Sequence, residues 1–236
     1  MDLAALGLTL RLAAVTTICL LLLGTPLAAW ISGLTSSGLT SSGLTSTRSK
    51  LPRRIVQAAV ALPLVLPPTV LGFYLLVWLG PARVPGRALI HLLGHPLAFT
   101  FSGLVVGSVL YSLPFAVQPL VLAFSHVDSN LTEVAATLGA SRWTIFRRIV
   151  LPLSRSGFLT AAVLTFAHTV GEFGVVLMIG GDIPGLTRTL SISIFDQVQE
   201  LNYRAADSTA LLLVAISFLA LLVTYWRSFP RETGLV

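Results

Sequence analysis

Apolar residues fall in five long blocks, approximately Leu8–Ile31, Ile55–Leu79, Phe99–Phe124, Gly157–Ile179 and Ser208–Trp226, separated by segments where charge, glycine and proline collect. An α-helix needs roughly 20 residues to cross a hydrocarbon core, and each block approaches or exceeds that length. The pattern therefore predicts an all-α, polytopic transmembrane bundle of about five spanning helices, forming a single domain over residues 1–236. The first block is long, and its leader carries Asp2 with only Arg11 as a basic residue, so it is read as a spanning helix and not as a cleaved signal. Pro63, Pro67 and Pro68 interrupt the second block, and Pro114 and Pro119 the third. Each proline frees a backbone carbonyl, which membrane proteins tolerate where helices bend around a conduit. Gly103 and Gly107 form a Gly-x-x-x-Gly spacing that permits close helix contact in the third block.

Composition agrees with the pattern: 55% of residues are hydrophobic and only 10% charged, outside the range of soluble domains. The net charge of +6 is not gathered into a basic face, which argues against a nucleic-acid partner. Most of it flanks the apolar blocks, where lysine and arginine select the cytoplasmic side and meet lipid head groups. Arg48, Lys50, Arg53 and Arg54 follow block one; Arg142, Arg147, Arg148 and Arg155 follow block three; Arg227 and Arg231 follow block five. The opposite side receives Arg11, Arg83, Arg87, Arg188 and Arg204. A bias of ten against five predicts that the N-terminus is outside and the C-terminus cytoplasmic. Ser32–Ser46 repeats Ser-Gly-Leu-Thr-Ser three times, and residues 32–50 are expected to form a flexible cytoplasmic loop, a tolerated insertion with no dedicated role. Cys19, the sole cysteine, is read as a packed thiol.

The segment 128–152, between blocks three and four, is too charged to span. Asn130 is placed to cap a short helix with Glu133 completing a capping box; Gly139 ends that helix in the left-handed conformation, and Ser141 caps the next. Ala135, Ala136 and Ala140 give the first helix a face small enough for another protein's groove, while Trp143, Phe146 and Ile149 anchor the second against the bundle. The result is a docking hairpin. Glu133-Val134-Ala135-Ala136, Gly139 and then Leu151-Pro152 resemble the coupling motif of ATP-binding cassette importer permeases, with Val134 standing where that family usually has alanine. Leu66-Pro67-Pro68-Thr69-Val70-Leu71-Gly72-Phe73-Tyr74, Gly171-Glu172-Phe173-Gly174, and Ile183-Pro184-Gly185 with Thr187-Arg188-Thr189-Leu190-Ser191 are similar to the molybdate branch of those permeases, and the likeness runs from Leu51 to Trp226.

That resemblance implies a homodimer bound to two ATPase subunits, with Glu133, Ala135, Ala136, Gly139, Ala140 and Pro152 as the coupling residues and Glu133 either capping its helix or meeting a basic residue of the ATPase. It also implies an extracytoplasmic molybdate-binding protein docking on the loops Gly80–Ala98 and Asp182–Ala206, where Arg83, Arg87, Arg188 and Arg204 are candidate contacts. The solute would cross by alternating access, with no cofactor bound to the chain. Permeases for tungstate or sulfate share the fold and remain an alternative.

Within the fourth block, His168 and Glu172 lie one helical turn apart, and exposure of either to lipid is costly. They either pair across helices or line and gate the path. Because a carboxylate is a poor ligand for an anion, Glu172 is read as a gate element, while the hydroxyls of Thr69, Ser108 and Ser112 are candidate donors to an oxyanion. No phosphate-binding loop exists, since the only lysine, Lys50, follows Ser49; ATP hydrolysis is assigned to a partner. His91 and His95 are spaced like metal ligands, but Gly94 and Pro96 break the helix that would align them, and the spacing is read as chance. An intramembrane hydrolase using His168 and Glu172 would need a nucleophile or metal set that the sequence does not offer.

Overall fold

The computed structural model describes residues 2–34 and 47–228, so most of the Ser-Gly-Leu-Thr-Ser repeat and Arg231 lie outside the described residues. All the regular structure among the described residues is helical. Helix α1 (Leu3–Ser32) carries a buried stripe of Thr9, Leu12, Thr16, Leu20, Gly24 and Ala28, recurring every three or four residues as one face of a helix requires. That face packs against α5 (Phe101–Ser125) and α9 (Arg155–Val170). Small residues let the backbones approach: Gly24 leaves just enough room for Val117. Asp2 starts α1 by accepting from the Ala5 amide at 3.0 Å.

Two apolar clusters occupy opposite ends of this three-helix core. One contains Ala28, Val60, Val117, Leu120, Phe124 and Ala161; the other contains Leu12, Leu104, Val176 and Ile192. Between them lies a buried polar layer, with Thr16 halfway along α1, Ser108 and Ser112 on α5, and Thr165 and Thr169 on α9. α12 (Tyr203–Ser228) packs along α9 and α11 (Leu190–Gln199) and turns Leu211, Val214, Phe218 and Leu219 outward. An outward apolar face of this kind is suited to lipid.

Three helices, α1, α5 and α12, are individually long and apolar enough to span a membrane, and counting each bent pair as one span gives up to five. The second span is broken where the prolines predict. α2 (Thr47–Ala61) begins inside the expected 32–50 loop, passes into a turn at Leu62–Leu64, and is followed at 109° by α3 (Pro68–Leu79). The expected fourth helix is also interrupted. α9 stops at Val170, residues 171–173 are non-helical, and α10 (Gly174–Gly180) resumes the apolar run.

The Gly-x-x-x-Gly spacing makes the contact expected of it, because a methyl at Gly107 would reach within 2.7 Å of Ile179 on α10. α10 meets α3 as closely: methyls at Gly72 and Gly174 would come within 2.7 Å of Met178 and Pro68. The expected loop 80–98 contains a short helix, α4 (Val84–Leu93), which holds His91 in its last turn; Gly94 ends it, leaving His95 beyond the cap. At the other side of α10, Leu190 donates its amide to the Thr9 hydroxyl at 2.9 Å, fastening the start of α11 to α1.

Candidate functional site

The hairpin at 128–153 is built largely as its sequence dictates, with one substitution of roles. α6 (Ser129–Thr137) is capped by Asp128, whose carboxylate accepts from the Asn130 amide at 2.9 Å, so Asn130 lies inside the helix and the expected capping box is not formed. Glu133 is therefore released from capping, stands exposed, and has no hydrogen bond or ion pair among the described residues. Gly139 takes φ +83°, and the turn is closed by Gly139 N–H to Ala136 C=O at 3.0 Å and Ala140 N–H to Ala135 C=O at 3.0 Å. Ser141 then caps α7 (Arg142–Ile145), accepting from the Thr144 amide. A π turn over Phe146–Val150 and the single turn α8 (Leu151–Leu153), holding Pro152, lead into α9 at an angle of 71°.

Phe146 anchors the hairpin edge-on to the buried Phe124, with ring centroids 6.3 Å apart, and Val150 is 2% exposed. Trp143, expected as an anchor, instead projects outward and stacks on Phe146; Ile149 is half-buried. Ala135 and Ala140 are half-buried and Ala136 exposed, while Leu131, Val134 and Leu138 protrude, Leu138 with 82% of its surface free. The spacing 131, 134, 138 is a one-face helical pattern that a reading focused on alanines passes over.

The second site lies at the break between α9 and α10. A cavity of about 500 Å³ there is lined by Thr69, Tyr111, His168, Gly171, Glu172 and Gly174, among others. It gathers three of the residues singled out from the sequence, Thr69, His168 and Glu172. Ser108 and Ser112 sit behind its wall, fully buried. Ser112 holds the His168 ring through Nδ1 at 2.9 Å and shares a hydrogen bond with Thr169 at 3.1 Å. Phe115 stacks on the same imidazole at 3.9 Å between centroids and Tyr111 leans on it at 4.9 Å, contacts that periodicity alone does not reveal.

His168 thus pairs across helices with Ser112 and makes no hydrogen bond with Glu172. Glu172, 4% exposed, lies past the end of α9 and beside Ser108. Neither carboxylate oxygen of Glu172, nor the Ser108 hydroxyl, has a hydrogen-bond partner of acceptable geometry among the described residues. An orphaned buried carboxyl is costly, and proteins retain such groups chiefly where function requires them.

Of the candidate loop arginines, Arg83, Arg87 and Arg204 are exposed. Arg188 is committed within the segment joining α10 to α12: its Nε and Nη2 grip both oxygens of Asp182, the Nη2 contact at 2.9 Å, and Nη2 lies 3.4 Å from Asp196. The hydrogen bond from Arg188 lowers the pKa of Asp182. Burial, then the neighbouring Asp182, raises that of Asp196 to about 6. Among the described residues no group of three or more histidine, cysteine or acidic side chains is arranged to hold a metal.

A family profile for binding-protein-dependent transport system inner membrane components matches residues 37–227. The chain is 53% identical over 224 residues to the molybdenum transport system permease protein ModB of Azotobacter vinelandii, covering 95% of this chain and 93% of that protein. It is 35% identical over 175 residues to ModB of Escherichia coli strain K12, covering 74% and 76%. In fold it is similar to a chain of a bacterial ABC transporter that imports the acidic polysaccharide alginate, with a TM-score of 0.69 over 98% of this chain and 80% of that one at 20% identity.

The Asp196 geometry predicts a pH dependence of stability. Its folded pKa lies above the ordinary 3.8, so its contribution is present below that value and lost as pH rises through about 6. Asp182 has the opposite sign and acts only at lower pH, where its depressed pKa is crossed. Thermal unfolding of the solubilised chain should show a melting temperature that falls between roughly pH 4 and 6 relative to Asp196→Asn. Parallel curves for the two proteins would exclude this assignment.

Proposed function

The chain belongs to the family of binding-protein-dependent transport system inner membrane components, and from that membership we propose that it is the membrane-spanning permease subunit of an ATP-binding cassette importer for molybdate. The observation that carries this reading is the near full-length likeness to molybdenum permeases. The family is one of transport permeases in the inner membrane, and the chain's apolar helices fit a multi-pass protein. ATP hydrolysis then belongs to a separate ATPase subunit, two copies of which serve a homodimer of this chain, with a molybdate-binding protein docking outside. The distribution of arginine supports an N-terminus outside and a hairpin facing the cytoplasm.

In this mechanism Leu131, Val134 and Leu138, with Ala135, Ala136 and Ala140, enter a cleft of the ATPase, and Glu133 meets one of its basic residues. Docking leaves Glu133 and the protruding apolar side chains no longer facing water, which gives the contact both a charged and a hydrophobic component. Closure of the ATPase pair on ATP moves the hairpin; Phe146 and Val150 pass that displacement to α5, and Pro152 and the 71° bend pass it to α9. α9 ends at the cavity, so its shift alters the break at Gly171–Phe173. Thr69, in the first turn of α3, offers a hydroxyl and the positive end of a helix dipole to an oxyanion at the mouth. Glu172, beside the neutral Ser108, organises the gate at the break, and Ser112 fixes the His168 ring. The path is thus open to an anion only while the gate is displaced.

The test is ATPase activity of the complex reconstituted with its binding protein: molybdate should stimulate it at lower concentration than tungstate or sulfate, and preferential response to sulfate would overturn the substrate assignment. Gly139→Val should cost about 1–2 kcal/mol through its left-handed backbone alone, because no atom crowds the position, while Gly139→Asn is tolerated. Copurification of the ATPase subunit should accordingly fall for valine and persist for asparagine; equal recovery would remove the docking role. Glu172→Gln should leave assembly intact yet change the ratio of molybdate moved to ATP hydrolysed by at least roughly fivefold. An unchanged ratio would deny Glu172 a part in the gate.

A further inference from the structure

A second cavity, of about 510 Å³, opens between the C-terminal half of α1 and the hairpin. Its walls are almost wholly carbon: Leu21, Leu22 and Pro26 on one side, Trp143, Phe146 and Phe158 on the other. Thr25, the one hydroxyl among its lining side chains, is spent on the Leu21 carbonyl of its own helix. Short side chains at Thr25, Pro26 and Ala29 form the floor, and Leu22 and Trp143 project beside it, 70% and 68% exposed. A concave apolar cleft on the outer wall of a spanning helix accepts a hydrocarbon chain more completely than the convex surface around it.

The residues next in sequence to the lining supply what a bare lipid-facing groove lacks. Arg142 adjoins Trp143, Arg147 and Arg148 follow Phe146, and Arg155 precedes Phe158; all four are exposed. No acidic residue occurs between Ala140 and Thr160, and none of the four forms an ion pair with a described residue. Tryptophan set beside arginine marks the depth of lipid head groups, as does Trp30 at the end of α1, with the Arg53 guanidinium 6.0 Å above its ring.

We propose that this cleft is a binding site for an anionic phospholipid of the leaflet on the hairpin side, one acyl chain lying between Pro26 and Phe146 and the phosphate held by Arg147 and Arg148. The proposal requires only that α1 spans the bilayer, and is independent of which solute the protein carries. Its consequence is that the hairpin is seated partly on lipid, so the anionic content of the membrane sets how firmly the hairpin is held.

The experiment uses the full chain in nanodiscs, with Trp30, Trp78 and Trp226 changed to phenylalanine so that Trp143 alone reports. Brominated phosphatidylglycerol in a phosphatidylcholine matrix should quench Trp143 at a mole fraction at least about fivefold below that required of brominated phosphatidylcholine, the preference expected from one arginine at the membrane surface. Arg147→Gln with Arg148→Gln should erase the preference, and Leu22→Phe, which fills the cleft, should weaken quenching by both lipids. Equal quenching by the two lipids would mean ordinary annular contact and overturn the site. Absence of quenching by either would mean that a second copy of the chain or another protein fills the cleft, and would overturn it as well. Native mass spectrometry of the unmodified chain gives an independent reading: bound phosphatidylglycerol should persist after detergent exchange and be lost in the double arginine variant, whereas equal retention would defeat the assignment of the phosphate.

Discussion

Hydrocarbon offers no hydrogen bonds, and most of the architecture follows from where this chain places the polar groups it cannot expose to lipid. Threonines on the packed faces return their hydroxyls to carbonyls of their own helix, as Thr9 and Thr17 do. Ser112, His168 and Thr169 satisfy one another between α5 and α9. Thr16, Ser108, Thr165 and Glu172 are left over in the same region, and Glu172, the one carboxyl among them, sits where regular helix stops. The two apolar clusters on either side can pack tightly because the polar layer between them is confined to one level.

The two functional regions are connected by this same core. α9 starts at the hairpin and ends at the cavity, and α5 runs beside it over that whole distance. Phe124 touches both Phe146 of the hairpin and Phe158 of α9, so motion at one end of the pair is carried by packed rings and helix axes. Beyond the breaks at Leu64–Pro68 and Gly171–Phe173, the glycines between α3 and α10 keep that pair together, and Gly107 and Gly180 seat α10 on α5.

Much of this was legible in the sequence, for physical reasons that differ by residue. Block length and proline placement foretold the spans and the break in the second, because hydrophobic thickness and a missing amide act locally. Gly139 and Ser141 announced the hairpin turn through backbone preference alone. The cap went to Asp128 and not to Asn130, since both are good caps and the choice depends on how the chain leaves α5. The interruption at Gly171–Phe173 was not legible, because an apolar run with two glycines reads equally well as one helix. His168 took Ser112 as its partner, 56 positions away, a choice made by the packing of α5 on α9 and carried by no local pattern. The block Thr187-Arg188-Thr189 drew notice only by resemblance; in the fold each member ties down the segment after α10, Thr187 to Gly180, Arg188 to Asp182 and Thr189 to the first turn of α11.

The bond from Leu190 to Thr9 joins residues 181 positions apart. During synthesis both halves of α1 find α5 as soon as it emerges, Leu12 meeting Leu104 and Ala28 lying near Val117, whereas the bond from Leu190 to Thr9 waits until α10 has been made. One tie of α1 is therefore among the last contacts of the fold to form, and until Leu190 has been made the Thr9 hydroxyl bonds only the Ala5 carbonyl of its own helix.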